Sequence, residues 1–240
     1  MVSLFNTIFY QPLFNLLMYI YNNVAFKDFG LAVIMLTVLV RIVLYPIFHK
    51  GAKDQAIMQR LAPKLNEIKK KHKGDKEKLA TETMRLYKEH KVNPFSQFAL
   101  LILVQLPILI ALFQIFSQSI KTVPNLNPQF LNLVNLALPS LVLVLLAAVA
   151  QYFQVKLSLP PQSKSKGQNL SKEERIAKQM SFMTLYFMPF LTVIILYKLP
   201  SAIALYWLTT TLFSVIQQVI INRSLKNNEW RPSEPNKGNN

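Results

Sequence analysis

The sequence contains no cysteine, only five glycines and only three histidines among its 240 residues. The absence of cysteine excludes disulfide bonds, thiolate metal sites and a cysteine nucleophile. His49, His72 and His90 are too few and too scattered to indicate a metal cluster. No glycine-rich phosphate-binding motif is present. The sequence therefore predicts neither an enzyme nor a bound cofactor or metal.

Acidic residues are also scarce: 11 Asp and Glu stand against 27 Lys and Arg, which gives a net charge of +16. Charged residues make up 16% of the chain, against about 25% in ordinary soluble domains. Hydrophobic residues make up 52%, which argues against a disordered chain and against a soluble nucleic-acid-binding protein. The composition predicts a membrane protein whose positive charge is concentrated in particular segments.

Five apolar stretches are long enough to cross a bilayer as helices, which takes about 20 residues each. They cover residues 30–48, 95–116, 130–156, 180–197 and 201–221. The third is long enough to tilt or to project into the cytosol, and Pro189 interrupts the fourth. The predicted fold is an all-α integral membrane protein with five transmembrane helices.

The distribution of Lys and Arg predicts the orientation of these spans. Twenty-three of the 27 basic residues lie in segments 50–91, 156–178 and 223–237, whereas only Lys27, Lys121 and Lys198 lie in the alternate segments. We therefore expect the amino terminus outside and the carboxyl terminus in the cytosol.

Residues 1–26 are apolar but interrupted by polar residues and Pro12. They are predicted to form an amphipathic helix in the outer interface, with Phe9, Leu13, Leu16, Leu17 and Ile20 facing lipid. A sixth span is the alternative. A cleaved signal peptide fits less well, because no basic residue precedes the apolar run and no small-residue cleavage site follows it.

Three cytosolic segments are predicted between and after the spans. Residues 50–93 are expected to form a helical hairpin, with helix 54–71 kinked at Pro63 and a second helix capped by Asp75. The alternative is a solvated basic linker. Residues 157–179 are predicted to be a flexible loop, and the basic tail 223–240 to be disordered.

Arg41 lies within the first span, about 10 Å from its cytosolic end at 1.5 Å per residue. Placing an arginine at depth costs about 2.5–3.5 kcal/mol on insertion scales, so such residues usually face a protein interior or a watery cavity. No Asp or Glu occurs in any of the five spans to pair with it. Snorkelling of the side chain to the cytosolic headgroups is the alternative.

Polar residues in other spans fall at helical spacing and toward the cytosolic side. Together with Arg41 they predict a hydrated groove that is open to the cytosol and closed to the outside. Its expected lining is Arg41, Gln105, Gln151, Gln154, Trp207, Thr210, Thr211, Ser214, Gln217 and Gln218. For any single Gln or Thr, an interhelical hydrogen bond in a dry bundle is the alternative.

Several strings along the chain, in this order and spacing, resemble the YidC-type membrane protein insertase family in its short five-span form. They are YQPLFN (10–15), VRIVLYP (40–46), ETMRLYKEH (82–90) running into VNP (92–94), QLPI (105–108) and LPSAIALYW (199–207). Two departures are the FSQF sequence at 95–98, where relatives often have a small or Cys-containing segment, and the lack of a lipidated cysteine.

The resemblance implies an insertase or chaperone that moves nascent hydrophobic segments from the cytosol into the bilayer of a bacterial cytoplasmic (inner or plasma) membrane. Arg41 would be the positive charge of the groove, and Gln154 and Trp207 would line it. The implied partners are nascent membrane proteins and lipids, with the Sec translocon as an open alternative to independent action. The basic tail and the hairpin could meet the ribosome by phosphate attraction, although a solvated tail explains the charge equally well.

A small secondary transporter or channel for an anionic solute is the rival function. It predicts internal repeats, broken helix pairs and a polar path through both halves of the membrane, and the sequence shows no clear example of these. An intramembrane protease is a weaker rival, because no span contains a central histidine. Substrates and oligomeric state are not readable from the residues.

Overall fold

The computed structural model describes residues 2–72, 74–95, 101–119, 123–124, 126–159 and 172–227. The fold is mostly helical, as predicted. Its elements are α1 (Val2–Phe5), π1 (Asn6–Tyr10), α2 (Gln11–Asn23), α3 (Phe29–Val43), α4 (Tyr45–Lys71), α5 (Lys76–Glu89), π2 (Leu101–Gln105), α6 (Leu106–Gln114), π3 (Ile115–Ser119), β1 (Gln129–Phe130), β2 (Val134–Asn135), α7 (Leu141–Ser158), α8 (Lys172–Leu196) and α9 (Ser201–Asn227).

Three helical segments are long and apolar enough to cross a membrane: Leu141–Ser158, Lys178–Leu196 and Ser201–Lys226. The bent pair formed by α3 and α4 would make a fourth. Leu103–Gln118 is an apolar helix shorter than these, and part of the predicted second span, residues 96–100, lies outside the described residues. The count of five spans therefore stays a prediction.

The amino-terminal helix α2 packs on α3 through the apolar stripe that was expected to meet lipid. Leu17 and Ile20 are 0% and 5% exposed and belong to the main core with Ala32, Val33 and Leu36 of α3. The prediction that Leu17 and Ile20 face lipid is wrong, because a stripe of this kind can be buried by a neighbouring helix as readily as by a bilayer.

The first predicted span, 30–48, is not one straight helix. Helix α3 ends at Val43, Leu44 leaves the helical conformation, and α4 departs at 71°. Pro46 explains the break, since it has no backbone N–H and its ring would collide with the carbonyl of Ile42 in a continuous helix. Residues 45–48 therefore belong to the hairpin, whose first helix begins nine residues earlier than predicted and continues through Pro63.

The predicted start of the third span at residue 130 is also wrong. Residues 129–135 form a short antiparallel β-hairpin, in which Phe130 pairs with Val134, and α7 begins only at Leu141. The Asn135 side chain accepts a hydrogen bond from the Ala137 amide at 2.9 Å, which stabilises a turn in place of a helix. Pro139 further disfavours helix just before α7.

Two helices continue beyond the membrane-length segments. Helix α8 begins at Lys172, inside the predicted loop 157–179, and α9 continues to Asn227, inside the predicted disordered tail 223–240. Both boundaries were placed where hydropathy falls, but Lys, Glu and Arg are good helix formers and extend a helix into water. Residues 160–171 and 228–240 lie outside the described residues.

The helices α4 and α5 pack together and against the carboxyl-terminal turns of α9. Their shared core contains Ile57, Leu61, Leu86, Ile221 and Leu225. Arg60 Nη1 donates a hydrogen bond to the Leu225 carbonyl at 2.8 Å. The hairpin therefore contacts the bundle directly at the end where α9 finishes.

As predicted, Asp75 caps the second hairpin helix. Its carboxylate accepts a hydrogen bond from the Lys78 amide at 3.0 Å. This backbone hydrogen bond is the main reason that the pKa of Asp75 is lowered. The turn before α5 is thus fixed by the residue that the sequence singles out.

Candidate functional site

A cavity of about 310 Å³ lies between α3, α4, α6, α7 and α9. It is lined by Arg41, Phe48, Ala52, Gln55, Gln105, Leu106, Leu109, Gln151, Gln154, Ser158, Tyr206, Trp207, Thr210, Thr211, Ser214, Gln217 and Gln218. All ten residues that the sequence selected for a groove are among them. Their functional role stays a prediction, but the structure brings them together on one surface, which we call the polar groove.

Arg41 is 7% exposed and lines the polar groove near the carboxyl end of α3. The next two side chains, Ile42 and Val43, point away from it and are 61% and 66% exposed. Among the described residues, no carboxylate forms an ion pair with Arg41. The guanidinium is thus covered by protein and lacks a counter-ion there, an arrangement suited to an anionic or carbonyl-bearing guest.

Phe48 is the most direct neighbour of this cation that sequence reasoning missed. The guanidinium carbon of Arg41 lies 4.3 Å from the centre of the Phe48 ring, within the range of a cation–π interaction. In a straight helix the two residues would be about 10 Å apart along the axis. The bend at Leu44 turns α4 so that Phe48 comes over Arg41, and hydropathy alone gave no signal of it.

At the deep end of the polar groove, two hydrogen bonds join different helical segments. Gln105 Nε2 donates to the Tyr206 hydroxyl at 2.7 Å, and Trp207 Nε1 donates to Gln151 Oε1 at 3.4 Å. For Gln105 and Gln151, the interhelical hydrogen bond considered as the alternative is therefore formed. Both side chains also line the polar groove, so the two roles coexist.

Toward the carboxyl end of α9, Gln217 and Gln218 are 4% and 5% exposed. Gln218 Nε2 donates to Asn222 Oδ1 at 3.1 Å, and Asn222 Nδ2 donates to the Leu157 carbonyl of α7, also at 3.1 Å. Gln217 Nε2, by contrast, has no hydrogen-bond partner within the described part of the chain. A buried donor of this kind can bind a water molecule or a carbonyl group that enters the groove.

Besides Phe48, the sequence did not select Gln55, Ser158 or Tyr206. Gln55 belongs to the hairpin helix, which was not expected to form a wall of the groove. Tyr206 is only 4% exposed and sits beside the selected Trp207, so its place in the same motif was a usable signal. Ser158 ends α7, one turn beyond the selected Gln154.

The opposite end of the bundle is closed by the segment between β1 and α7. The Ser201 and Ala202 amides, at the start of α9, donate to the carbonyls of Leu138 and Leu136 at 3.0 and 3.1 Å. The Phe130 ring packs directly against Gly30 of α3. Among the described residues, those that line the polar groove do not include any from the segment between β1 and α7.

The polar groove offers a cation and hydrogen-bonding groups to a molecule that enters it. No group of three or more potential metal ligands occurs in the described ranges. The donors are one guanidinium, several amides and hydroxyls, set among apolar side chains. Fold and site together define a helical membrane protein with a polar, cation-containing groove inside its bundle.

Comparison with known proteins narrows that class. The sequence profile of the 60Kd inner membrane protein family matches residues 19–229, and the chain belongs to this family. A relative from Fusobacterium nucleatum, "Membrane protein insertase YidC", is 38% identical over 81% of this chain and 86% of its own length. One of the same name from Oceanobacillus iheyensis is 33% identical over 93% of this chain and 85% of its own.

Other relatives are much longer. The Helicobacter pylori (strain ATCC 700392 / 26695) protein "Membrane protein insertase YidC" is 33% identical over 92% of this chain, which spans only 37% of that protein. A solved structure, "Active YidC insertase crystal structure with the first transmembrane domain resolved", matches with a TM-score of 0.60 and 26% identity. The match covers 88% of this chain and 45% of that one.

Proposed function

We propose that this protein inserts hydrophobic segments of nascent membrane proteins from the cytosol into the lipid bilayer. The observation that carries the proposal is the polar groove, in which Arg41 is buried without a carboxylate partner among the described residues. Membership of the family and the printed names of its relatives support the same function.

The proposed topology has five spans, with the amino terminus outside and the carboxyl terminus in a bacterial cytoplasm. The asymmetric distribution of Lys and Arg supports it. In this orientation the hairpin and the end of α9 lie in the cytosol, and the segment between β1 and α7 lies at the outer surface. The polar groove then opens toward the cytosol and ends within the bilayer.

The proposed mechanism is physical. A hydrophobic segment of the substrate moves along the lipid-facing side, while its short polar flank enters the groove. Arg41 attracts acidic residues of that flank, because attraction strengthens where the effective dielectric constant falls. The membrane potential assists outward movement of negative charge by about 2.3 kcal/mol per charge per 100 mV. No nucleotide is required in this scheme.

The hairpin is the proposed first contact for the substrate. Gln55 and Ala52 of α4 line the polar groove, so a segment that binds the hairpin is already beside the groove entrance. Ribosomal RNA is a proposed partner of the basic segment at the end of α9, by phosphate attraction. Action beside the Sec translocon and action alone are both compatible with the groove.

Site-specific photocrosslinking to a stalled nascent chain tests the proposal. A photoreactive residue replaces Gln154 or Gln55 in the groove, and Val149, a lipid-facing neighbour on α7, is the matched control. We expect adducts with the polar flank of the substrate from Gln154 and Gln55 but not from Val149. Equal crosslinking from all three positions, or none from the groove, would contradict insertion through this site. The rival function, transport of an anionic solute, would then be favoured.

A further inference from the structure

Two short loops at the Asp28 end of the bundle expose large apolar side chains. Phe26, between α2 and α3, is 93% exposed, and Leu131 and Leu133, in the turn between β1 and β2, are 53% and 82% exposed. Exposure of three such side chains to water is unfavourable. We call Phe26, Leu131 and Leu133 the outer tip.

The two loops are held to each other and to α3 by one carboxylate. Asp28 Oδ1 accepts the Leu31 amide at 2.8 Å and caps α3, while Oδ2 accepts the Leu131 amide at 2.6 Å. Phe26 and Leu131 both adopt positive φ, at 52° and 51°, which non-glycine residues rarely do. The surrounding contacts therefore hold Phe26 and Leu131 of the outer tip in unfavourable backbone conformations.

The surroundings of the outer tip are those of a membrane interface. After the β-hairpin, further apolar side chains are exposed at Leu138 and on the first turn of α7, at Leu141 and Val142. At the same end of the bundle, α8 finishes beside an exposed Tyr197–Lys198 pair, and Lys27 adjoins Phe26. Tyr is enriched at the membrane–water interface, and Lys side chains near helix ends reach the headgroups.

We propose that the outer tip inserts into the headgroup–acyl boundary of the outer leaflet and anchors the closed end of the bundle to lipid. Lys27 and Lys198 bind lipid phosphates around it. Three side chains are too few for a stable protein interface, which takes about 800 Å² from each partner. Lipid is favoured because further exposed apolar side chains follow along the chain at Leu138, Leu141 and Val142. The inference rests on the proposed topology but not on the insertase function.

Depth measurements with single cysteines test this inference, and the chain offers a background without cysteine. Spin labels are placed at Phe26→Cys and Leu133→Cys in nanodiscs of phosphatidylcholine and phosphatidylglycerol. Val142→Cys, in α7, is the lipid reference, and Lys88→Cys, on the exposed side of α5, is the water reference. Collision with oxygen and with a water-soluble nickel chelate reports depth.

We expect the labels at 26 and 133 to approach the Val142 reference, with nickel collision reduced severalfold relative to position 88. Collision rates equal to those at position 88 would overturn the anchor. Spin–spin broadening that disappears on dilution with unlabelled protein would also overturn it, in favour of a second copy. Water exposure of position 142 itself would contradict the proposed topology and with it the anchor. It would leave the proposed insertase function to the crosslinking experiment.

Discussion

The Phe48 ring covers the guanidinium of Arg41 at 4.3 Å, although the two residues belong to helices that diverge by 71°. Arg41 is fixed by α3, and Phe48 by the hairpin helix α4. The hairpin, which is proposed to meet the substrate first, therefore supplies a side chain that directly contacts the cation of the polar groove.

The charge of Arg41 is expected to matter most for substrates with acidic outer tails. Arg41→Ala should reduce insertion of such single-span substrates about tenfold or more, and multispanning substrates less, because only the former need the cation. Arg41→Lys, which keeps the charge, should retain more activity. Protease protection of the translocated tail measures insertion, and equal losses for both substrate classes would contradict the role of the charge.

The aromatic cover of Arg41 should contribute measurably to stability. Phe48→Leu keeps an apolar side chain but removes the π-system, so we expect a loss of about 0.5–2 kcal/mol in the free energy of unfolding. Phe48→Trp should preserve the interaction. Denaturation in detergent micelles measures this loss, both in the native sequence and in the Arg41→Ala background. If the loss persists without Arg41, it comes from the packing of Phe48 and not from its interaction with the guanidinium.

Water should reach the polar groove from the cytosolic side. Cysteines at Thr211 or Gln154 should react with membrane-impermeant thiol reagents in inverted vesicles, because both positions line the groove. Val149→Cys, which faces outward from α7 at 54% exposure, should be protected by lipid. Equal protection of all three cysteines would indicate a dry bundle.

Docking of the hairpin on α9 should depend on Leu61, which is 0% exposed in the shared core. Leu61→Ala should weaken this contact by about 2–5 kcal/mol, the usual cost of a buried Leu-to-Ala change. Hydrogen exchange in α5 should then accelerate. Met84→Ala, at a position 42% exposed on α5, is the control, and an unchanged exchange rate in Leu61→Ala would mean that the hairpin is stable without its contact to α9.

The contact between Gly30 and Phe130 predicts a case of mutational rescue. A Cβ atom at Gly30 would collide with the Phe130 ring, so Gly30→Ala should destabilise the closed end of the bundle by about 1–3 kcal/mol, as overpacking usually does. Adding Phe130→Ala should recover part of that loss. Thermal unfolding in detergent checks this, and simple additivity of the two substitutions would contradict the contact.

Several lining residues of the polar groove could be predicted because polar residues at helical spacing lie on one face of a helix. Arg41, Gln154 and Gln218 lie on faces that the sequence defines locally. Phe48 and Gln55 could not be found in this way, since the 71° bend that brings α4 to the groove depends on tertiary packing as well as on Pro46.

The predicted helix boundaries are wrong where a helix does not begin and end with the apolar stretch of the sequence. The apolar composition of the segment before Leu141 predicts a helix, but Asn135 and Pro139 direct it into turns. The spacing of Leu17 and Ile20 defines an apolar helix face, but it does not determine whether lipid or a neighbouring helix covers that face. Such choices depend on three-dimensional neighbours.

Phe48 and Leu61 belong to the same helix, α4, which begins directly after the break at Leu44, so one helix carries both the contact with Arg41 and the contact with α9. A swing of α4 about Leu44, such as a substrate could cause by displacing Leu61 from α9, would lift the ring from Arg41. The guanidinium would then lose its cover before the cargo reached it. Arrival of the substrate at the hairpin and exposure of the charge would then occur in this order.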